Sequence, residues 1–181
     1  IIIVTNNKNH FKKKKYPKQI SIIKGGKERS DSSLKALKYL KRYKPLNVYI
    51  HDAARPNFSN KLLKNITKNL KNNEAVVPIV TSRDSTKYKI KNKIFNLNRN
   101  NLILTQTPQA FRFKELYNLA YKEKNMISDE APLFINSNPK VKFIPGENRN
   151  NKINNSTKIL NQCIYYSKRK KTKIKKYIDN F

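Results

Sequence analysis

The chain alternates between two apolar patterns, and this alternation limits the folds that it can adopt. Short runs rich in β-branched residues predict strands at 1–5, 19–23, 46–50 and 75–80, because such runs are typical of strands buried on both faces. Leucine and isoleucine at helical spacing predict helices at 30–43 and 59–70. Alternating strands and helices predict an α/β fold, with a mostly parallel sheet and helices on both of its faces.

The second half of the chain contains a different pattern between residues 86 and 97. Apolar residues there are separated by Lys and Asn, and Lys91-Asn92-Lys93 provides a turn, so we expect a projecting β-hairpin. Strands are predicted at 102–105 and 141–144, and helices at 113–124, 129–136 and 156–167. We therefore predict one domain over 1–167, with the hairpin as its arm, followed by a basic tail over 168–181.

The formal net charge of +30 does not by itself indicate a nucleic-acid-binding protein. Lysine is spread over every segment and accompanied by abundant Asn and Ile, as expected from a drift in genome composition, whereas nucleic-acid-binding proteins cluster their charge on one face. No apolar run approaches the roughly 20 residues of a membrane helix, so we expect a soluble protein. The single cysteine, Cys163, cannot form an internal disulfide, which fits a reducing cytoplasm.

Acidic residues are scarce, and their positions are therefore informative. Six of the eleven lie in four short stretches: Glu28 with Asp31, Asp52, Asp84, and the pair Asp129-Glu130. Ligands of open parallel sheets bind outside the carboxyl ends of strands. Three motifs follow predicted strands, at 25–32, 51–56 and 83–87, and they are the first candidates for a site.

The segment at 25–32 begins with two glycines and leads into a predicted helix. Glycine permits close backbone approach, and a helix start offers free N–H groups to an anion or a base edge. The segment at 51–56 follows the next predicted strand. Asp52 could hold a magnesium ion beside phosphates, Ala54 leaves room for a ligand, and Arg55 is a planar phosphate donor. Simple turns before helices remain the alternative for both segments, and His51 is interpreted as structural.

In their order and spacing, these motifs resemble the 2-C-methyl-D-erythritol 4-phosphate cytidylyltransferases. The resemblance covers residues 1 to 165 and rests on seven landmarks: Gly-Gly-x-Glu-Arg-x-Asp-Ser at 25–32, His-Asp-Ala-Ala-Arg-Pro at 51–56, Arg-Asp-Ser at 83–85, Arg99, Thr-Pro-Gln-x-Phe at 107–111, Asp-Glu-Ala at 129–131 and Asn-x-Lys-Ile at 150–153. It implies a Rossmann-like sheet of the nucleotide-diphospho-sugar transferase type, a magnesium ion, and a homodimer in which the hairpin reaches the partner's active site.

The resemblance also implies roles for individual residues. CTP would be bound by Gly26, Lys27, Ser32, Asp52, Ala54 and Arg55, with Asp52 also at the metal. The sugar phosphate would be bound by Ser85, Arg99, Thr107, Ser128 and Lys152, and catalysis would depend on Arg99, Lys152 and Asp52. A phosphate oxygen of methylerythritol phosphate would attack the α-phosphate of CTP and release pyrophosphate. Such a reaction depends on alignment and charge neutralisation more than on covalent help.

The family's opening Ala-Ala-Gly-x-Gly-x-Arg loop has no counterpart in the sequence, and Lys18 in Tyr16-Pro17-Lys18-Gln19 lies too close to Gly25 to match the family's early Pro-Lys-Gln. On this basis we expect the chain to lack the front of its domain and to be weakly active or inactive alone. Asn154 and Pro132 also depart from the family pattern. Two other functions remain open: a ribitol-phosphate cytidylyltransferase, and a basic nucleic-acid-binding protein built on an inactive enzyme scaffold.

Overall fold

The computed structural model describes residues 1–6, 20–82, 84–122, 129–136 and 140–153. Within these ranges the strands are β1 (Ile2–Thr5), β2 (Ser21–Lys24), β3 (Asn47–Ile50), β4 (Ala75–Thr81), β5 (Lys87–Ile90), β6 (Lys93–Asn96), β7 (Ile103–Thr105), β8 (Gln109–Arg112) and β9 (Val141–Pro145). The α-helices are α1 (Arg29–Leu40), α2 (Asn60–Leu70), α3 (Phe113–Lys122) and α4 (Ala131–Ile135). Each predicted element within the described ranges is present, with ends shifted by a few residues.

The central sheet has five strands, and β4 lies in its middle and pairs with three of the others. One side of β4 pairs with β9, whereas β8 and β7 pair with successive parts of β4, and β3 lies beyond β8. β1 and β2 form a separate two-stranded parallel sheet. The chain thus has the predicted α/β architecture.

The predicted mostly parallel sheet is wrong in detail. The pairs β3–β8, β4–β8 and β4–β7 are antiparallel, and only β4–β9 is parallel in the central sheet. The strands β3, β4 and β9 do run in one direction, as the alternation of strands and helices along the chain predicted. No strand was predicted at 109–112, where β8 inserts between β3 and β4. Only three residues separate β7 from β8, and the chain continues along β4 in the same direction, so both strands run antiparallel to β4.

Helices cover both faces of the sheet because neighbouring strand residues point to opposite sides. Ala75 and Phe111 face a cluster with residues of α1, α3 and α4, whereas Val76 and Ala110 face α2. The first cluster contains a stacked pair, Phe111 and Phe134, with ring centroids 5.1 Å apart. These two cores hold the strand ends, and hence the loops that follow them, in fixed positions.

Local signals explain where the first two helices begin. The backbone N–H of Glu28 donates to Asp31 Oδ2 at 3.2 Å, so Asp31 stabilises the start of α1 from within its first turn. Ser59 precedes α2, and its hydroxyl accepts from the backbone N–H of Leu62 at 2.9 Å. The starts of α1 and α2 lie at the same end of the strands as the residues predicted for the site.

The predicted hairpin is present as β5 and β6, joined by a turn in which Lys91 has φ 50°. Its apolar side chains, among them Tyr88 and Phe95, are exposed. The predicted helix at 156–167 and the basic tail lie outside the described residues, as do Lys18, Ser128 and Cys163. Among the helices that the structure describes, none has the length and apolar character needed to cross a membrane.

Candidate active site

The site is built where β3 ends and β8 begins. These two ends meet because the strands are antiparallel, with Ile50 opposite Gln109. Residues 106–108 leave the ladder between β7 and β8, and this places Thr107 beside the turn after β3. The backbone N–H of Asp52 donates to Thr107 Oγ1 at 3.0 Å. One contact therefore ties the His-Asp-Ala-Ala-Arg-Pro segment to the Thr-Pro-Gln segment, 55 residues apart in the chain.

His51 supports this turn from behind. Its Nε2 lies 3.0 Å from the carbonyl oxygen of Arg55, and its Nδ1 lies 3.1 Å from Thr107 Oγ1. A carbonyl can only accept, so Nε2 carries the proton, and neutral Nδ1 then accepts from the Thr107 hydroxyl. Burial lowers the pKa of His51 below its ordinary value, which favours this neutral ring. The structural interpretation of His51 fits this geometry.

Three cations surround the carboxylate of Asp52. Oδ2 lies 3.2 Å from Lys152 Nζ and 3.7 Å from Arg55 Nε, and Oδ1 lies 3.4 Å from Arg29 Nε. Burial alone would raise the pKa of Asp52, but the hydrogen bond and charge of Lys152, followed by those of Arg29, hold that pKa below its ordinary value. Asp52 is therefore ionised at neutral pH and links cations from three separate segments.

The loop that follows β9 carries Lys152 to this position. The buried side chain of Asn150 donates to the carbonyl oxygen of Thr107 at 2.8 Å, and the backbone carbonyl oxygen of Asn150 accepts from Arg55 Nη1 at 2.8 Å. The backbone N–H of Ile153 donates to the carbonyl of Ala54 at 2.8 Å. These contacts hold the loop on both sides of Lys152. The position of the backbone therefore brings the ammonium group of Lys152 close to Asp52.

These side chains line a cleft of about 140 Å³, formed by Arg29, Asp52, Arg55, Thr105, Thr107, Gln109, Asp129 and Lys152. Three cations and two carboxylates face it, so its lining favours an anion. Small-molecule sites usually occupy about 300–1,000 Å³. The cleft is therefore suited to the reacting groups of a larger ligand rather than to a whole nucleotide.

The glycine segment at 25–28 leads toward the cleft through α1. The backbone N–H of Gly26 donates to Ser32 Oγ at 3.0 Å, which fixes the loop against its helix. A Cβ at Gly26 would lie 2.1 Å from Asp31 Cβ, so only glycine fits there. Lys27 is exposed at the tip of this loop. Of the residues assigned to CTP, Asp52 and Arg55 line the cleft, Ala54 lies between them in the chain, and Gly26, Lys27 and Ser32 lie at the start of α1.

The structure separates the residues assigned to the sugar phosphate. Thr107 and Lys152 lie together at Asp52, but Ser85 is exposed at the base of the hairpin, where its hydroxyl accepts from Lys87 Nζ at 3.0 Å. Arg99 lies in an exposed turn after the hairpin and is not among the residues lining the cleft. The expectation that Arg99, Asp52 and Lys152 meet is therefore not met within one chain. The roles of Ser85, Arg99 and Ser128 stay predictions.

Five residues had no role assigned from the sequence: Arg29, Thr105, Gln109 and Asp129, which line the cleft, and the buried Glu130, which pairs with Arg29. Asp129 Oδ2 accepts from Thr105 Oγ1 at 2.8 Å and from Gln109 Nε2 at 2.9 Å. Four of the five lie inside the recognised motifs at 25–32, 107–111 and 129–131. Their presence in those motifs, and the scarcity of acidic residues in this chain, were signals that could have identified them.

The fold and the cleft together define an α/β protein that is equipped to hold an anionic ligand at the ends of its strands. The comparisons with known proteins agree with this class and narrow it. A model of the family described as IspD, 2-C-methyl-D-erythritol 4-phosphate cytidylyltransferase, matches residues 1–165. The chain belongs to that family.

Two relatives show the range of proteins that it resembles. It is 47% identical over 154 residues to a bifunctional enzyme IspD/IspF of Pelagibacter ubique, covering 84% of this chain and 42% of that protein. It is 30% identical over 163 residues to the 2-C-methyl-D-erythritol 4-phosphate cytidylyltransferase of Thermosipho africanus, covering 84% of this chain and 72% of that protein. The chain thus spans less than half the length of the Pelagibacter relative.

Solved structures show the same likeness. The chain superposes on 4-diphosphocytidyl-2C-methyl-D-erythritol synthase from Anaerococcus prevotii with a TM-score of 0.79 and 29% identity, covering 92% of this chain and 78% of that one. It superposes on the bifunctional IspDF from Campylobacter jejuni with a TM-score of 0.71 and 26% identity, covering 84% of this chain and 38% of that one. The fold of this chain, of which the antiparallel strand β8 is a part, therefore matches solved structures of this family.

Proposed function

We propose that this chain transfers a cytidylyl group from CTP to 2-C-methyl-D-erythritol 4-phosphate, in the non-mevalonate route to isoprenoid precursors. Family membership supports the reaction class. The observation that carries the proposal is the meeting of Lys152, Arg55 and Arg29 at Asp52 in one cleft. Two anionic reactants repel each other, and a cleft with these cations offsets that repulsion where the reaction occurs.

In this reaction a phosphate oxygen of the sugar phosphate attacks the α-phosphorus of CTP, the new P–O bond forms, and the bond to pyrophosphate breaks. Lys152 and Arg55 would bind phosphate oxygens and offset the negative charge that grows at the α-phosphate. Thr107 would hold its backbone partner Asp52 in place. Gln109 Oε1 is buried without a hydrogen-bond partner among the described residues, and it would accept from a hydroxyl of the sugar.

The residues present also fit a magnesium ion. Protein sites for Mg²⁺ at phosphates usually supply only one or two carboxylates, and the substrate and water supply the rest. Asp52 provides an ionised carboxylate at the cleft, and the described parts of the chain contain no cluster of three or more His, Cys, Asp or Glu that would form an all-protein cage. When bound, Mg²⁺ would neutralise phosphate charge. Asp52 would be its protein ligand.

Two further parts of the proposal concern assembly and location. The hairpin exposes Tyr88, Ile90, Ile94 and Phe95, with Ser85 and Arg99 at its base. We propose a homodimer in which this arm covers the partner's cleft and adds Ser85 and Arg99 to it, which would explain why one chain leaves them outside. Light scattering on the purified protein tests the dimer.

The single cysteine, Cys163, and the nature of the substrates fit a cytoplasmic enzyme.

Pyrophosphate release by the purified chain tests the reaction. We expect weak release, measurable at high protein concentration, that requires CTP, Mg²⁺ and methylerythritol phosphate and that falls at least about tenfold in Lys152→Met. Lys142→Met, on an exposed residue of β9, is the matched control and should leave the rate unchanged. Release that is independent of the sugar phosphate would contradict the proposal, and faster release with ribitol phosphate would favour the sister enzyme.

The basic-protein alternative is tested separately by filter binding to RNA across a salt series. Affinity that falls steeply with salt would support it, because each neutralised phosphate releases counterions. Weak, salt-independent retention would count against it.

A further inference from the structure

Arg29 joins two carboxylates that belong to different segments. Its Nη1 and Nη2 donate to Oε1 and Oε2 of Glu130 at 2.9 and 3.0 Å, while its Nε lies 3.4 Å from Asp52 Oδ1. The side chain of Glu130 is 1% exposed, whereas that of Asp52 is 17% exposed. A two-bond contact of this kind fixes the plane of the guanidinium group. Glu130 therefore sets the direction in which the Nε of Arg29 points.

This direction determines how Asp52 faces the cleft. With Oδ1 facing Arg29, Oδ2 faces Lys152 at 3.2 Å and Arg55 at 3.7 Å. The terminal torsion of an aspartate side chain is soft, so nothing in the residue itself fixes this rotation. The contact with Arg29 therefore fixes one oxygen and leaves the other facing Lys152 and Arg55.

We infer that Glu130 and Arg29 are positioning residues for Asp52: the buried Glu130 orients Arg29, and Arg29 holds Oδ1 so that Oδ2 is presented toward Lys152. Glu130 is too buried to touch substrate, and Arg29, besides lining the cleft, acts through its hold on Asp52. The expected effect of Glu130 and Arg29 on turnover rests on the proposed cytidylyl transfer. The physical link from Glu130 to Asp52 does not depend on that proposal. The competing role is purely structural, in which the same ion pair only joins the start of α1 to the start of α4.

Substitution of Arg29 by Lys separates the two roles. Lysine keeps the positive charge beside Glu130, but its single ammonium cannot reproduce a planar fork with a third donor aimed at Asp52. Arg29→Lys should therefore recover most of the thermal stability that Arg29→Met loses. Its kcat should remain at least about tenfold below wild type, with the KM for CTP changed by less than about threefold, because alignment rather than binding is affected. Recovery of kcat together with stability would overturn the inference.

Arg112 provides a matched control at the far end of the sheet. It also makes two contacts, donating to Asn47 Oδ1 at 3.1 Å and to the carbonyl oxygen of Lys71 at 2.7 Å, and neither contact involves Asp52. Arg112→Met should lower the melting temperature and leave kcat within about twofold. An equal loss of kcat in Arg112→Met would show that kcat simply follows stability, and the inference would fail.

A second measurement does not depend on turnover. Urea midpoints are measured for Glu130→Gln, for Asp52→Asn and for the double variant. The set is measured once with Arg29 present and once in proteins that also carry Arg29→Met. We expect non-additive midpoint shifts when Arg29 is present and additive shifts when it is absent, because Arg29 is the link between the two carboxylates. Additive shifts in both backgrounds would refute the link. If wild type shows no turnover, the proposed function fails, and these midpoints still decide whether Arg29 couples the two residues.

Discussion

Asn150 is the residue whose replacement most directly tests how the cleft is held together. Its side chain is buried, and its Nδ2 donates to the carbonyl oxygen of Thr107 at 2.8 Å; a second contact, to Gln106 Oε1, is 3.5 Å and therefore weak. Asn150→Ala leaves the buried Thr107 carbonyl without this donor, at a cost of about 1–3 kcal/mol. It also removes Asn150 Oδ1, which is buried without a hydrogen-bond partner among the described residues, and this returns up to about 1 kcal/mol.

The net loss in unfolding free energy should be about 1–2 kcal/mol, measured by urea denaturation. Asn150→Asp has nearly the same shape but turns the donor into an acceptor that faces another acceptor, so it should lose more than Asn150→Ala. The control is Asn72→Ala, at an exposed position after α2, which should stay within about 0.5 kcal/mol of wild type. The reasoning is refuted if Asn150→Ala lies within that same range, or if Asn150→Asp is the milder change.

Three further outcomes are expected. Because the pKa of His51 is lowered on folding, the unfolded chain binds more protons below about pH 6.5, so the unfolding free energy should fall as pH drops from 7 to 5.5, and the slope should flatten in His51→Gln. Phe111→Ala should lose about 3–5 kcal/mol in chemical denaturation, since its ring is buried against Phe134. Gly26→Ala should raise the KM for CTP, because the added Cβ would displace Asp31 and the loop; unchanged kinetics would show that this loop does not bind CTP.

Patterns that depend on local spacing were recovered from the sequence, and those that depend on pairing were not. The leucines of α1 and the β-branched runs of β3 and β4 identify their elements because each pattern is complete within a few residues. β8 was missed because its four residues directly precede α3 and give no separate signal. It runs antiparallel to β4 because it continues β7 along that strand after only three residues, and the alternation of strands and helices does not encode this pairing.

The site follows the same division. Asp52, Thr107 and Lys152 were selected from separate motifs, and the structure brings them within hydrogen-bonding distance along one short path. Arg29 and Glu130 lie inside motifs that the sequence already singled out, but no role was assigned to them because the sequence does not show that the two side chains pair. Only the three-dimensional structure shows that Glu130 is buried and paired.

The high net charge and the paired site are compatible because they concern different environments. Exposed lysines are screened by salt and water, so most of the +30 charge has little influence on a cleft whose own charges are partly buried. The cleft lining carries one more cation than carboxylates, and Asp52 and Glu130 hold cations that would otherwise repel one another. Removing Asp52 would leave Lys152 without its carboxylate partner, and removing Glu130 would leave Arg29 with only its longer contact to Asp52. A chain so rich in lysine therefore depends on its few acidic residues to keep Arg29, Arg55 and Lys152 together, and the scarcity of those residues makes their placement the decisive feature of the site.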